Sequence, residues 1–191
     1  MTEQAYSYHK PPCNKIYGVI LVRFETHRSI GITSYSIIIL LILPVTTINQ
    51  LFQLLIVIPI TFVSSVLPDY DNDFNIEHRG PTHSIFIWAF LSVLFAGLVK
   101  LLYWYLNSLK LPPILAPILA FSAPYFMHLI ADSFTDNGVR LFWPYNMDKP
   151  RKPIFRLWYY SDGKMYEQLV SLGVNTLSLV LWIGLFYHTL K

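Results

Sequence analysis

Apolar positions gather into five runs, at about residues 29–46, 50–67, 84–106, 111–131 and 168–190, each bounded by polar or proline-rich stretches. A hydrocarbon layer about 30 Å thick is crossed by roughly 17–25 helical residues, so each run predicts one membrane-spanning helix. Between positions 29 and 68 there is no Asp, Glu, Lys or Arg, a stretch long enough for two spans. The turn between them is Pro44-Val45-Thr46-Thr47-Ile48-Asn49-Gln50, whose proline and small polar residues suit a tight helical hairpin. Pro59 in the second span and Pro117 and Pro124 in the fourth are each expected to free a backbone carbonyl and kink their helix. Residues 16–24 are apolar but too short to span, and fit a strand or an interfacial segment.

Composition strengthens this reading. Only 13% of the 191 residues are charged while 54% are hydrophobic. A soluble domain carries about a quarter charged residues, so much of this chain's surface is expected to face lipid. The fold class that follows is an all-α membrane protein, a bundle of about five transmembrane helices. Residues 29–191 form a single polytopic domain behind an N-terminal segment, 1–28, too polar for the apolar centre of a cleavable signal. The lone cysteine, Cys13, excludes an intrachain disulfide framework. The net charge of +3 comes without a basic stripe interleaved with aromatics, so no nucleic-acid partner is expected.

The basic residues instead indicate topology. Lys10, Lys15, Arg23 and Arg28 precede the first span, Arg79 lies in the 68–83 loop, and six more fall in the 132–167 loop. Five spans put these segments on one side, which then holds eleven of the 14 Lys and Arg residues. The positive-inside rule makes that side cytoplasmic, with the N-terminus and the 132–167 loop inside and the C-terminus outside.

Ionisable groups at membrane depth are costly and mark functional sites. Here His27 lies just before the first span, Asp69 and Asp71 end the second, His78 and His83 precede the third, and His128 and Asp132 end the fourth. Helix parity brings all seven to the cytoplasmic end of the bundle, a metal site built at helix ends. His128 and Asp132, four apart, share one helix face. Pro81 between His78 and His83 argues for a loop that delivers imidazoles, not a helical pair. Imidazole with carboxylate suits a divalent ion, zinc first, with manganese or iron as further choices, and a catalytic site leaves one position open for water. This many ligands also suits two ions clamping a phosphoester. Asp69-x-Asp71-x-Asp73 is not a calcium loop, because Phe74 stands where glycine is needed and Gly80 where glutamate is needed. His9 and His188 have no assigned role, and Asp73, Glu77, Asp136 and Asp148 read as solvated loop charges.

Three motifs follow in order: Leu67-Pro68-Asp69-x-Asp71, then His78-Arg79-Gly80-x-Thr82-His83-Ser84, then His128-Leu-Ile-Ala-Asp132-Ser-Phe-Thr-x-x-Gly138-Val-x-Leu-Phe-Trp143-Pro144. The set resembles the LexA-regulated, inner-membrane family of metal-dependent hydrolases, formerly a domain of unknown function, from about His27 to Pro144. An early histidine belongs to that pattern, and His27 matches it behind a leader longer than the resemblance implies. Arg140 stands where a small or apolar residue is usual. The resemblance implies a membrane fold, with His27, Asp69, His78, His83, His128 and Asp132 as metal ligands.

Arg79 is the natural partner of a substrate oxyanion or phosphate, since a guanidinium pairs two oxygens at once. Asp71 or Asp132 is a general base where it is not a ligand, and Trp143 and Tyr145 anchor their loop at the headgroup layer. Two functions are consistent with this pattern. One is a hydrolase acting on a phosphoester or ester of a lipid or lipid-like substrate at the cytoplasmic face. The other is a non-enzymatic scaffold whose structural metal fastens the helix ends.

Overall fold

The computed structural model describes residues 14–72, 79–106, 111–134, 138–145 and 164–190. They form six α-helices: α1 (Asn14–Ile42), α2 (Ile48–Ile56), α3 (Ile58–Val66), α4 (Ile85–Tyr105), α5 (Leu115–Ser133) and α6 (Lys164–Thr189). Short 3-10 segments at Leu67–Asn72 and Pro81–His83 flank the α3-to-α4 connection. No β-strand occurs among the described residues.

The expected hairpin lies between α1 and α2. Thr47 caps α2 by accepting from the Gln50 amide, while the Gln50 side chain accepts from the Thr47 amide, which satisfies two orphan donors reciprocally. The second pass breaks at Val57, just before Pro59. There the Tyr35 hydroxyl donates to the Leu54 carbonyl (3.4 Å), left over where α2 ends. Pro124 lies inside α5 and cannot pair with the Ala120 carbonyl. The Ser64 hydroxyl, arriving from α3, donates to that carbonyl instead (3.0 Å), as expected where a neighbouring helix tolerates a membrane proline.

Two expectations need correction. Residues 16–24 are neither a strand nor a separate segment: α1 runs unbroken from Asn14, since nothing between there and Ile42 stops a helix. Pro117 does not interrupt α5, because it sits in the first turn, where the missing N–H has no intrahelical partner to lose.

Four elements are long and apolar enough to span a membrane, at Ile48–Asp71, Ile85–Tyr105, Leu115–Ser133 and Gln168–Thr189. The α1 helix, expected as the first span, is more polar and is not among these four; it packs in the middle of the bundle against α3, α5 and α6. Its polar side is satisfied by α6. Ser29 pairs with Ser171 (2.8 Å), Thr33 donates to the Val174 carbonyl (3.0 Å), and Ser36 meets Ser178 (3.2 Å) and the Trp182 indole N–H (2.8 Å). Such hydrogen bonds hold helices together where lipid removes the hydrophobic drive for association. The apolar core, Tyr35, Ile39, Val45, Leu51, Leu54, Val57, Ala116 and Ala120, fills the bundle at the hairpin end. At the other end α3, α5 and the two 3-10 segments bury Ser64, Ser65, Asp71, His83, His128 and Asp132.

Candidate metal centre

Four elements meet at the polar end. The α3 helix tightens into the 3-10 segment that carries Asp69 and Asp71, and a second 3-10 turn, opened by Pro81, carries Thr82 and His83. The last turn of α5 supplies His128 and Asp132, and α1 supplies His27. Close approach of the helices depends on Gly31, where a Cβ would stand 2.6 Å from Ser65 Cβ and 3.1 Å from Pro124 Cβ. Only a residue without a side chain fits there.

Asp69, His83, His128 and Asp132 each aim one ligand atom at a common centre. His83 Nε2 is 3.5 Å from Asp69 Oδ1, 3.3 Å from Asp132 Oδ2 and 3.3 Å from His128 Nε2. His128 Nε2 is 3.5 Å from Asp69 Oδ1 and 3.8 Å from Asp132 Oδ2. Ligands about 2.0–2.1 Å from a tetrahedral ion stand about 3.3–3.4 Å apart, so these spacings fit a divalent cation with little movement.

The outer contacts turn both imidazoles the right way. His128 Nδ1 is 2.7 Å from the Ser65 carbonyl, which can only accept, so Nδ1 carries the proton and Nε2 presents its lone pair inward. Thr82 Oγ1 donates to Asp71 Oδ2 (2.9 Å) and, having only one proton, accepts from His83 Nδ1 (3.1 Å). This relay leaves His83 Nε2 as a donor to metal. The turn is tied to α5 by the Tyr125 hydroxyl, which donates to the Thr82 carbonyl (2.6 Å). Burial pulls the His83 pKa down, but hydrogen bonds and charge from Asp132 and Asp69 more than offset it, and the net shift is upward.

Asp71 stands behind His83, 3.6 Å from its Nδ1, and also accepts from the Arg79 backbone amide (3.0 Å). Arg79 is buried with φ 60°, so the left-handed residue of the turn is Arg79 itself, next to Gly80. Its Nε lies 3.3 Å from Asp132 Oδ2, and its Nη1 donates to the Gly138 carbonyl (3.4 Å). His27 lies at the side of the cluster: Nε2 is 3.3 Å from Asp132 Oδ1, the oxygen turned away from the four-donor centre, and the ring stacks on His128 at 3.8 Å. His78, with Asp73, Glu77, Asp136 and Asp148, lies outside the described residues.

Beyond the site, Ser84 holds the following loop by donating to the Trp143 carbonyl (2.8 Å), which leaves Phe142 and Tyr145 exposed beside the helix ends. Thr82, Tyr125 and Ser65 were not among the expected site residues. Thr82 had a signal, its place inside the His-Arg-Gly-x-Thr-His-Ser motif, whereas Tyr125 and the Ser65 carbonyl had none.

A helical bundle with four spanning elements and His and Asp side chains buried at one end defines a polytopic membrane protein with a candidate metal site. The chain belongs to the family described as YdjM inner membrane protein, whose model matches residues 22–190, in agreement with the resemblance carried by the three motifs. It is an inner membrane protein. No curated protein and no solved structure matches the chain.

Proposed function

We propose that this protein is a metal-dependent hydrolase that acts on a phosphoester or ester of a lipid or lipid-like substrate at the cytoplasmic membrane face. The observation that carries this reading is the surplus of buried polar groups around the four donors. An ion that only fastens helices needs four ligands, yet His27, Asp71 and Arg79 are also buried against them. Buried ionisable groups beyond the ligand set cost stability and cluster at sites that do chemistry.

In this reading Asp69, His83, His128 and Asp132 hold the ion, and the outward oxygen of Asp132 with His27 makes room for a second. A divalent cation there supplies Lewis-acid polarisation of a phosphoryl or acyl oxygen and acidifies water. Arg79, beside Asp132, pairs with the substrate's developing negative charge. Asp71, expected at first as a base, serves in this geometry to orient His83 through Thr82. Exposed Tyr70, Phe142 and Tyr145 around the site suit the headgroup layer and so favour a substrate held in the bilayer.

The cytoplasmic placement rests on the distribution of Lys and Arg. It is tested by labelling Cys13 in intact cells with a membrane-impermeant thiol reagent. Labelling is expected only after lysis, and ready labelling beforehand would reverse the orientation.

One observation favours the scaffold reading: four protein donors at tetrahedral spacing close the shell of a zinc ion. Elemental analysis of the purified protein, joined to a screen of phosphoester and lipid-ester substrates, separates the two. For a hydrolase, Arg79→Ala should keep the metal and lose about 100-fold or more in turnover, the scale of a lost oxyanion donor. A loaded protein inert across the screen, with Arg79→Ala changing only the melting temperature, would favour the structural metal. Loss of metal in Arg79→Ala would assign the residue to ligand geometry instead of substrate binding.

A further inference from the structure

Among the described residues, the α6 helix packs mainly on α1 and touches α2, and most of the rest of its surface is exposed. Several of its polar residues are paired. Ser171 and Ser178 pair with α1, and the Thr176 hydroxyl donates back to the Leu172 carbonyl within α6 (2.8 Å). Asn175 is exposed and has no hydrogen-bond partner among the described residues. It lies seven residues inside the span Gln168–Thr189, about 10 Å below its end at 1.5 Å per residue. A carboxamide at that depth cannot be satisfied by lipid.

The residues around it have a regular spacing. Leu172, Asn175, Leu179 and Phe186 fall at spacings of three, four and seven residues, positions of the heptad pattern of a left-handed helix pair, while Trp182 of the same pattern turns towards Ser36 of α1. Leu172 and Leu179 are 64% and 61% exposed, and Phe186 is exposed as well. A carboxamide both donates and accepts, so across a two-fold axis along the membrane normal Asn175 meets its own copy at the same depth and each satisfies the other. We propose that the protein forms a homodimer through α6, with Asn175 hydrogen-bonded to Asn175 of a second copy and Leu172, Leu179 and Phe186 packed around the pair.

The first test is disulfide trapping in native membranes, with single cysteines introduced into a Cys13→Ser background. Leu172→Cys and Leu179→Cys should cross-link to dimer, whereas Leu177→Cys and Val180→Cys, on the opposite side of α6, should not. Cross-linking on all faces alike, or on none, would overturn the proposal. The second is energy transfer between copies labelled at Cys13 in vesicles of rising lipid-to-protein ratio. Asn175→Leu should weaken the dimer about 3- to 30-fold, the equivalent of about 0.6–2 kcal/mol for an interhelical polar contact in a membrane. Asn175→Gln should retain most of the association. A monomeric wild type would show that α6 faces lipid or the helix of another protein, and association unchanged by Asn175→Leu would overturn the pairing through Asn175.

Discussion

The two ends of the bundle share α1 and α5 but are built on opposite plans. At the hairpin end, Tyr35 and Ile39 of α1, Leu51 and Leu54 of α2, and Ala116 and Ala120 of α5 make a close-packed apolar core. At the far end α1, α3 and α5 bury His27, Ser64, Ser65, His128 and Asp132, and the 3-10 segments add Asp71 and His83. The first arrangement is stable as it stands. The second concentrates groups whose desolvation is costly, and a membrane interior makes them costlier. Packing accounts for the first end, whereas the second has the donors of a candidate metal site, and the two should respond to different perturbations.

The largest expected effect lies in the polar end. Asp132→Ala removes an oxygen from the four-donor centre and the partner of both His27 and Arg79. Divalent-metal affinity should fall by more than about 100-fold, the upper range for loss of an outer-shell partner. Leu54→Ala, in the apolar end, should cost about 2–5 kcal/mol as a cavity while leaving metal stoichiometry unchanged. Metal titration and thermal unfolding of both variants check the contrast. Equal loss of metal in the two would mean that the ends do not act separately.

Gly31 tests where they join. It lies between the two regions, and a side chain there runs into Ser65, whose carbonyl fixes the tautomer of His128. Gly31→Ala should cost about 1–3 kcal/mol by overpacking and also weaken metal binding, because α3 must shift away from α1 and carry that carbonyl with it. A variant that is less stable yet binds metal normally would show that the strain relaxes without reaching the site.

Much of this division was readable in the sequence, and the unread part has a common cause. Apolar runs mark spans because lipid imposes a length on them, and His and Asp at span ends stand out because membranes exclude them. The carbonyl freed by Pro124 was foreseeable, but its partner Ser64 was not, since the pairing depends on how α3 crosses α5. Gly31, Tyr125 and the Ser65 carbonyl act through the same interhelical contacts, which leave no local pattern. The extension of α1 back to Asn14 was missed for a different reason: an apolarity criterion detects spans, whereas the helix continues through Arg23, Glu25 and His27 because no residue there breaks it.

The smallest expected effect concerns acidity, and its sign distinguishes a metal-filled site from a proton-filled one. In the chelated protein, Asp132 and Asp69 raise the pKa of His83 above its ordinary value of about 6.5 despite its burial. A group whose folded pKa is raised contributes its full stability below its unfolded pKa and loses it as pH rises through the folded value. Chelated protein should therefore lose stability as pH climbs above about 6.5, with a slope of at most about 1.4 kcal/mol per pH unit from this one group. Metal has the opposite dependence. It needs the His83 Nε2 lone pair, so binding must expel the proton, and affinity should rise over the same interval. Melting curves of chelated and metal-loaded protein across that range should converge at low pH and separate as pH rises. His83→Gln should flatten both dependences, and Leu54→Ala neither. Parallel curves for the chelated and loaded forms would mean that the buried carboxylates do not hold a proton on His83, and that the polar end is stabilised by something other than the exchange of a proton for a cation.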